Sequence, residues 1–416
     1  MQDPELKVKI WRKSANFAAM LSAGNTSCRH MRAPLPAIVA ALALWSQPSH
    51  AMAVAGPRVD SDTVMATPKP SLWQRVKDYM SLDGGSQDQE KRLDMLGGVY
   101  YDNVWGLSAS VLGMARYRMP GCSSTEQPSQ STLYGQASVR GFWAVGIEGI
   151  NLWPRDAVRL NYELELSYEP SFFWGMGFEN GNNDANKTRQ HKHKAVVSMQ
   201  ALWRVASGTY LGPAVKWNYA NAEATERPWL YEGQNTTIHS MGVGLVLEAD
   251  RRDYMSNPTR GWRVHLEQLF SPTWLSSTTS FSTTIVQADA YRTVWQGGVL
   301  AGEVYGELHF GKPSWASMAQ VGDSHRMRGY YEGQYRDKHM LLTQVELRQH
   351  LWGRHGMAVW LGGGTVFHDE NLLDHLLPNF GVGYRFAFRR HMNIRLDFGV
   401  GRGWRTGMTI NINEAF

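Results

Sequence analysis

Cysteine is nearly absent. The 416-residue chain has two, Cys28 and Cys122, and processing of the N-terminus as read below leaves Cys122 alone, which excludes an intramolecular disulfide framework. Cys122 reads as a free turn cysteine, with cross-linking of two copies as the alternative. The Asn25-Thr-Ser-Cys28 context lacks the small-residue, leucine-led pattern of a lipoprotein site, so no lipid anchor is expected. No stretch approaches the ~18 consecutive apolar residues of a transmembrane helix, which excludes a helical membrane protein. Charge of one sign is scarce as well: 42 basic against 37 acidic residues give a net charge of +5. With Lys and Arg spread along the chain, nucleic-acid binding has no support. The HKHK block at His191–Lys194 lacks carboxylate or cysteine company, so it reads as a solvated loop rather than a metal site. His265, Glu267 and Arg263 share a strand face, but no nucleophile in a recognisable setting accompanies them. Neither an enzyme nor a cofactor is expected.

The chain is rich in glycine and aromatics, with 41 Gly, 17 Trp and 17 Tyr, and its mean hydropathy is −0.38. A low mean is compatible with a membrane barrel, where only alternate residues face lipid. The pattern decides the matter. Along Ala157–Glu169, Leu160, Tyr162, Leu164, Leu166 and Tyr168 share one face and Asn161, Glu163, Glu165, Ser167 and Glu169 the other, as successive side chains of a strand must. Similar segments are expected at 92–101, 104–119, 132–150, 157–169, 171–178, 192–206, 208–219, 238–250, 260–270, 281–292, 297–310, 340–351, 355–367, 378–388, 391–402 and 406–416. The fold class is therefore all-β, a transmembrane antiparallel β-barrel of about sixteen strands. Closure is required because a backbone N–H or C=O in lipid needs a partner. Tight turns are expected near Pro170, Gly208, Gly353 and Arg390, and long outer loops at 179–191, 220–237, 271–280, 311–339 and 368–377. In the last strand Met408, Ile410, Ile412, Glu414 and Phe416 fall on one face, expected outward.

The N-terminus reads as an address. Met31-Arg32, the apolar run Ala37–Trp45 and Ala51-Met-Ala53 form a basic region, an apolar region and an A-x-A-like cleavage site. Residues 1–53 are thus an N-terminal extension and signal peptide, cleaved after Ala51 or Ala53. Residues 54–90 are a periplasmic linker with a short helical arm, Ser71–Leu82, whose Trp73, Val76, Tyr79 and Met80 share one face. It either packs on the periplasmic rim or membrane surface or plugs the barrel. Residues 91–416 form the barrel itself, and the expected location is the bacterial outer membrane.

Two segments carry a family resemblance. Asp250–Val264, DRRDYMSNPTRGWRV, resembles a recurrent Asp-x-Arg-x-x-x-x-Asn-Pro-x-x-Gly turn with one inserted residue. Gly322–Tyr335, GDSHRMRGYYEGQY, contains Met327-Arg328-Gly329-Tyr330, which resembles, with Met327 at its aliphatic position, the [VI]-R-G-[FY] loop tip of the superfamily that includes BamA, TamA and FhaC, the bacterial surface antigens. The closing strands, NFGVGYRF at Asn379–Phe386 and NIRLDFGVG at Asn393–Gly401, resemble the family's last pair. The resemblance implies an outer-membrane assembly or secretion barrel whose loop folds into the lumen, with Arg328 reaching carboxylates on the inner wall. Strand parity independently offers Asp397 first and Glu346 second as those partners. The sequence departs from the pattern at Val359–Gly364, which lacks an aspartate, and at Val400, where a glycine is common. The stretch 54–90 is too short for a polypeptide-transport-associated (POTRA) domain, so a barrel lacking such domains is expected. Function then divides three ways. The barrel moves or inserts macromolecules through a seam between the first strand, with Gly97 and Gly98, and the last, with Phe416. Alternatively it is a passive or gated pore, or a surface-exposed structural protein. The expected partners are outer-membrane lipid and either unfolded outer-membrane proteins or a separate periplasmic protein.

Overall fold

The computed structural model describes residues 91–102, 105–223, 226–368, 375–389 and 392–416. The signal peptide and the Ser71–Leu82 helix expected from the sequence lie outside the described residues.

The strands are β1 (Lys91–Asp102), β2 (Gly106–Tyr117), β3 (Ser129–Ser138), β4 (Trp143–Leu152), β5 (Val158–Phe173) and β6 (Thr188–Ala206). They continue with β7 (Thr209–Glu223), β8 (Thr237–Asp250), β9 (Gly261–Ser271), β10 (Phe281–Trp295) and β11 (Gly298–Gly311). Two short strands follow, β12 (Ala319–Gln320) and β13 (Arg336–Asp337), and then β14 (His339–Trp352), β15 (His355–Phe367), β16 (Leu377–Arg389), β17 (Met392–Val400) and β18 (Thr406–Ile412). β12 and β13 pair only with each other, within the loop joining β11 to β14. The other sixteen form one sheet in chain order, each hydrogen-bonded to the next. Every step is an antiparallel hairpin, so no crossover is needed.

Alternation gives the sheet two different faces. On β5, Leu164 and Leu166 are exposed opposite Ile147 and Val145 of β4, while Glu163 and Glu165 point the other way. Val304, Val345, Leu361, Val382, Phe398 and Ile410 carry the exposed apolar band onward through β11 to β18. A continuous apolar face of this extent is a lipid-facing surface. The opposite face holds buried charge, with Glu248, Glu303, Glu346, Arg385, Arg395 and Asp397 all shielded from solvent.

The strand total agrees with the sequence reading through two compensating corrections. The segment expected as one strand at 132–150 is two, β3 and β4, because the chain reverses at Gly141, whose φ of +89° is open to glycine. The Phe142 N–H donates to Ser138 Oγ at 3.1 Å to close that turn. Conversely, the strands expected at 157–169 and 171–178 are one, β5, which runs through Pro170 without a tight turn. The β4 ladder reaches no further along β5 than Tyr168, so the missing proline N–H costs no ladder bond there. The Pro170 carbonyl instead accepts from Trp105 Nε1 at 2.9 Å.

Among the described residues no ladder joins β1 to β18. The ends of the sheet meet through one apolar cluster: Leu96, Leu112 and Met114 from β1 and β2 with Phe388, Met392, Ile394 and Ile412 from β16, β17 and β18. By alternation Leu96 and Met114 lie opposite the exposed Met95 and Leu107 face, whereas Ile394 and Ile412 share the face of exposed Leu396 and Ile410. The lumen-side face of the first hairpin is thus joined to the lipid-side face of the last strands.

The lipid-face assignment predicts that Val304→Arg, in the middle of β11, destabilises the barrel by about 2–4 kcal/mol. Urea unfolding in detergent micelles would measure this; a loss within a few tenths of a kcal/mol would place Val304 off the lipid face.

Candidate functional site: a loop locked inside the lumen

The loop between β11 and β14, residues 312–338, is built to turn inward. Asp323 folds its first bend by accepting the amides of His325 at 2.6 Å and Arg326 at 2.5 Å. Met327 and Gly329 then take positive φ, 51° and 111°, and between them Arg328 is driven down to the wall. Gly329 lies backbone to backbone against Gly399 of β17, so a Cβ on either would collide with the other segment. Tyr330 fixes the exit: its hydroxyl donates to the Pro378 carbonyl at 2.6 Å and accepts from the Arg402 amide at 2.7 Å.

Arg328 is only 1% exposed. Its Nη1 lies 2.9 Å from Asp397 Oδ2 and 2.7 Å from Glu346 Oε2. The Asp397 contact is an aligned hydrogen bond; the Glu346 contact is an ion pair without hydrogen-bond geometry. Among the described residues Nε and Nη2 have no acceptor, and the guanidinium carbon sits 3.7 Å from the centre of the Trp360 ring. A cation withdrawn from water onto an aromatic face is stabilised by the ring quadrupole. Trp360 Nε1 donates to Asn379 Oδ1 at 2.9 Å, and Asn379 Nδ2 donates to the Arg328 carbonyl at 2.5 Å. The carboxylates are shared with other arginines: Arg385 at 2.5 Å and Arg395 at 2.8 Å reach Asp397, and Arg348 at 2.7 Å reaches Glu346.

The residues Met327, Arg328, Gly329, Tyr330, Asp397 and Glu346 singled out in the sequence therefore converge on one place. The seam residues do not converge with them. Gly97 and Gly98 pair with Val111 and Ser110 of β2, and a Cβ at Gly98 would meet nothing within 4 Å, so crowding does not explain that glycine. Phe416 lies away from the β18 edge, its ring 6.4 Å from Tyr291 and 5.3 Å from the Arg348 guanidinium. The alternation expected through Glu414 and Phe416 breaks at Asn413, whose φ is +64°. Glu414 is consequently buried and accepts from Arg385 Nε at 2.9 Å and Asn393 Nδ2 at 2.7 Å. Trp360, Asn379 and Gly399 were missed. Parity puts Trp360 on the inner face of β15, the strand that lacks an aspartate, but its packing against Arg328 depends on the path of the loop; Gly399, two residues after Asp397, supplies the room expected of position 400.

The second motif builds the turn between β8 and β9. Arg252 folds back onto Asp250 at 2.9 Å, and Asp253 accepts the Thr259 amide at 2.9 Å and its hydroxyl at 2.5 Å. The Pro258 carbonyl accepts from Arg348 Nη1 at 3.5 Å, which ties this turn to the lumen network. His191 Nδ1 is 2.8 Å from the Tyr168 hydroxyl, and Cys122 is free in the β2–β3 turn, 3.7 Å from the Leu152 carbonyl.

No family model matches the chain, and no curated protein matches it. Solved structures do. BamA from Haemophilus ducreyi lacking POTRA domains 1–3 aligns with a TM-score of 0.50 at 12% identity, over 78% of this chain and 70% of that one. CdiB from Escherichia coli aligns with a TM-score of 0.49 at 12% identity over 78% and 62%. CdiB from Acinetobacter baumannii aligns with 0.49 at 9% over 78% and 60%, so the chain spans about three fifths of either CdiB. The BamA alignment and the lipid-facing band together define the class, an outer-membrane β-barrel. Within it, the fold is that of the BamA-type barrel.

The sharing of charges sets an asymmetric expectation. Without Arg328, Arg348, Arg385 and Arg395 still neutralise Glu346, Asp397 and Glu414. Without Asp397, three guanidinium groups lose a carboxylate. Asp397→Ala should therefore cost about 3–5 kcal/mol in urea unfolding, and Arg328→Ala distinctly less while opening loop 312–338 to protease. Equal losses, or a loop as protected as in the wild type, would contradict the lock. The β8–β9 turn gives a pH test. Burial pushes the Asp253 carboxyl up, but donation from Thr259 and from the amides of Thr259, Arg260 and Tyr254 outweighs this and holds it below the ordinary range. A carboxyl lowered on folding contributes stability above its unfolded value, near 3.9, and loses it as pH falls through the lower folded value. Limited proteolysis at 251–260 should increase below about pH 4, and Asp253→Asn should show the same cleavage already at neutral pH.

Proposed function

We propose that this protein assists the insertion or transport of macromolecules in the outer membrane, acting at the seam between β1 and β18. The observation that carries the reading is the seam itself: the two ends of the sheet overlap through an apolar cluster of side chains, with no ladder between β1 and β18 among the described residues. Opening such a seam breaks no strand ladder among the described residues, and each edge can then pair with an incoming strand. Loop 312–338 also fills part of the lumen, which disfavours wide cargo passing through the centre. Unfolded outer-membrane proteins are the substrate class that fits, delivered directly or by a separate periplasmic protein. No catalytic step is involved.

A pore is the second reading. A cavity of about 360 Å³ stays open against β3–β6, lined by Gln130, Thr132, Glu148, Asn161, Glu163 and Gln200 among others. In liposomes, the purified protein should accelerate folding of an unrelated outer-membrane barrel over empty liposomes, and Arg328→Ala should lose the acceleration. No acceleration, with steady ion conductance across a planar bilayer, would transfer the function to the pore.

A further inference from the structure

The rim formed by the short hairpins, opposite the long loops and therefore taken as periplasmic, is divided by charge. Its hairpins from β6 to β11 expose Arg204, Arg251, Arg260 and Arg292, and among the described residues none of these guanidinium groups is paired with a carboxylate. The acidic groups on this arc are engaged elsewhere. Asp250 holds Arg159 at 3.0 Å and Arg252 at 2.9 Å, and Asp253 is taken up by Thr259. Across the mouth the β2–β3 and β4–β5 turns are mixed, with Glu126 and Asp156 beside Arg118 and Arg155.

The basic arc is continuous. Arg251 Nη1 donates to Ser207 Oγ of the β6–β7 hairpin at 3.1 Å, and the Arg251 amide donates to the Trp262 carbonyl at 2.8 Å. Thr293 Oγ1, beside Arg292, donates to the carbonyl of Thr259, beside Arg260, at 3.2 Å. Its depth is marked by tryptophan. Trp203, Trp262 and Trp295 on the same strands are 50%, 44% and 53% exposed, and exposed tryptophans at the ends of lipid-facing strands lie at the headgroup level. On β10, Gln287, Asp289 and Tyr291 are buried toward the lumen, so Arg292 and Val294 fall on the outward face. The free cations thus stand where headgroups are, not below the membrane.

We propose that this arc binds the headgroups of anionic phospholipids in the periplasmic leaflet. Guanidinium matches a phosphate with two parallel hydrogen bonds, and Arg251, Arg260 and Arg292 are the residues that read the charge, with Trp262 and Trp295 setting the depth. Such anchorage holds the β8–β11 side of the barrel at fixed height while the seam on the far side stays free of it. The binding stands whether or not the barrel inserts proteins.

The test is a titration of the purified protein in neutral micelles with phosphatidylglycerol and, separately, phosphatidylethanolamine, counting bound lipid by native mass spectrometry. The wild type should prefer phosphatidylglycerol. The triple variant Arg251→Gln, Arg260→Gln, Arg292→Gln should lose that preference by about fivefold per arginine, roughly a hundredfold in all, with phosphatidylethanolamine binding unchanged. Arg155→Gln, on the mixed arc, should bind as the wild type does. If the triple variant lacks the heat-modifiable gel mobility of a folded barrel, Arg292→Gln alone gives the same reading at about fivefold. Equal binding of the two lipids, or a folded variant that keeps the preference, overturns the proposal. So does arginine-dependent capture of an acidic periplasmic protein without lipid preference, which would make the arc a protein-docking surface.

Discussion

A guanidinium taken out of water must meet compensating charge, and the architecture of β14 to β18 follows from meeting that requirement for Arg328. Unpaired, such a cation would not stay buried. Asp397 and Glu346 project from two strands that are not neighbours in the sheet, so the charge of one loop residue draws together β14, β15 and β17 through the lumen. Trp360 on β15 closes the third side. The backbone has to yield as well: Gly329 and Gly399 touch where no side chain fits. A shift of one residue in the β16–β17 register would send Asp397 to lipid and remove the partner, because parity is all that separates the two faces.

Stability alone does not account for this choice. Buried ion pairs replaced by packed apolar residues are often no less stable, and an apolar loop tip could cover an apolar wall. An apolar contact would, however, accept several loop positions of similar energy. The ionic one accepts a single position, because each displacement leaves charges unpaired. The lock is therefore a device for placing the loop, with Arg348 as its junction. That residue lies 2.7 Å from Glu346, donates to the Pro258 carbonyl of the β8–β9 turn and packs over the Phe416 ring. One side chain holds turn and tail directly, and the loop through the Glu346 that it shares with Arg328.

The fold was legible in the sequence because the membrane imposes a period of two on every strand, and that period survives errors in the ends. Leu160 to Tyr168 stated both faces of β5 outright. What failed was punctuation. Arg140-Gly141 turns the chain without the proline or asparagine that marks a turn, and Pro170 sits inside a strand because β4 stops short of it. The pairing of Arg328 with Asp397 and Glu346 was legible because parity fixed which acids face inward. The Trp360 platform and the inward turn at Asn413 were not, since both depend on where the loop and tail run in space. Glu414 illustrates the limit: alternation assigned it to lipid, and a single positive φ at Asn413 brought it to Arg385.

The same constraint that requires barrels to close makes the seam the weakest part of this one. Elsewhere around the wall, each strand is held by ladders on both sides, and breaking one exposes backbone groups to hydrocarbon. At the seam the contact is Leu96, Leu112 and Met114 against Phe388, Met392, Ile394 and Ile412. In lipid, separating apolar side chains exposes them to a medium as apolar as themselves, so the hydrophobic effect gives little resistance. Resistance must come from dispersion and from the edges finding no better partner. An incoming strand is such a partner, because it satisfies backbone groups that the apolar overlap leaves unaddressed. A barrel whose lumen holds a locked loop and whose sheet ends, among the described residues, meet without a ladder is thus weaker at its side than anywhere else around its wall.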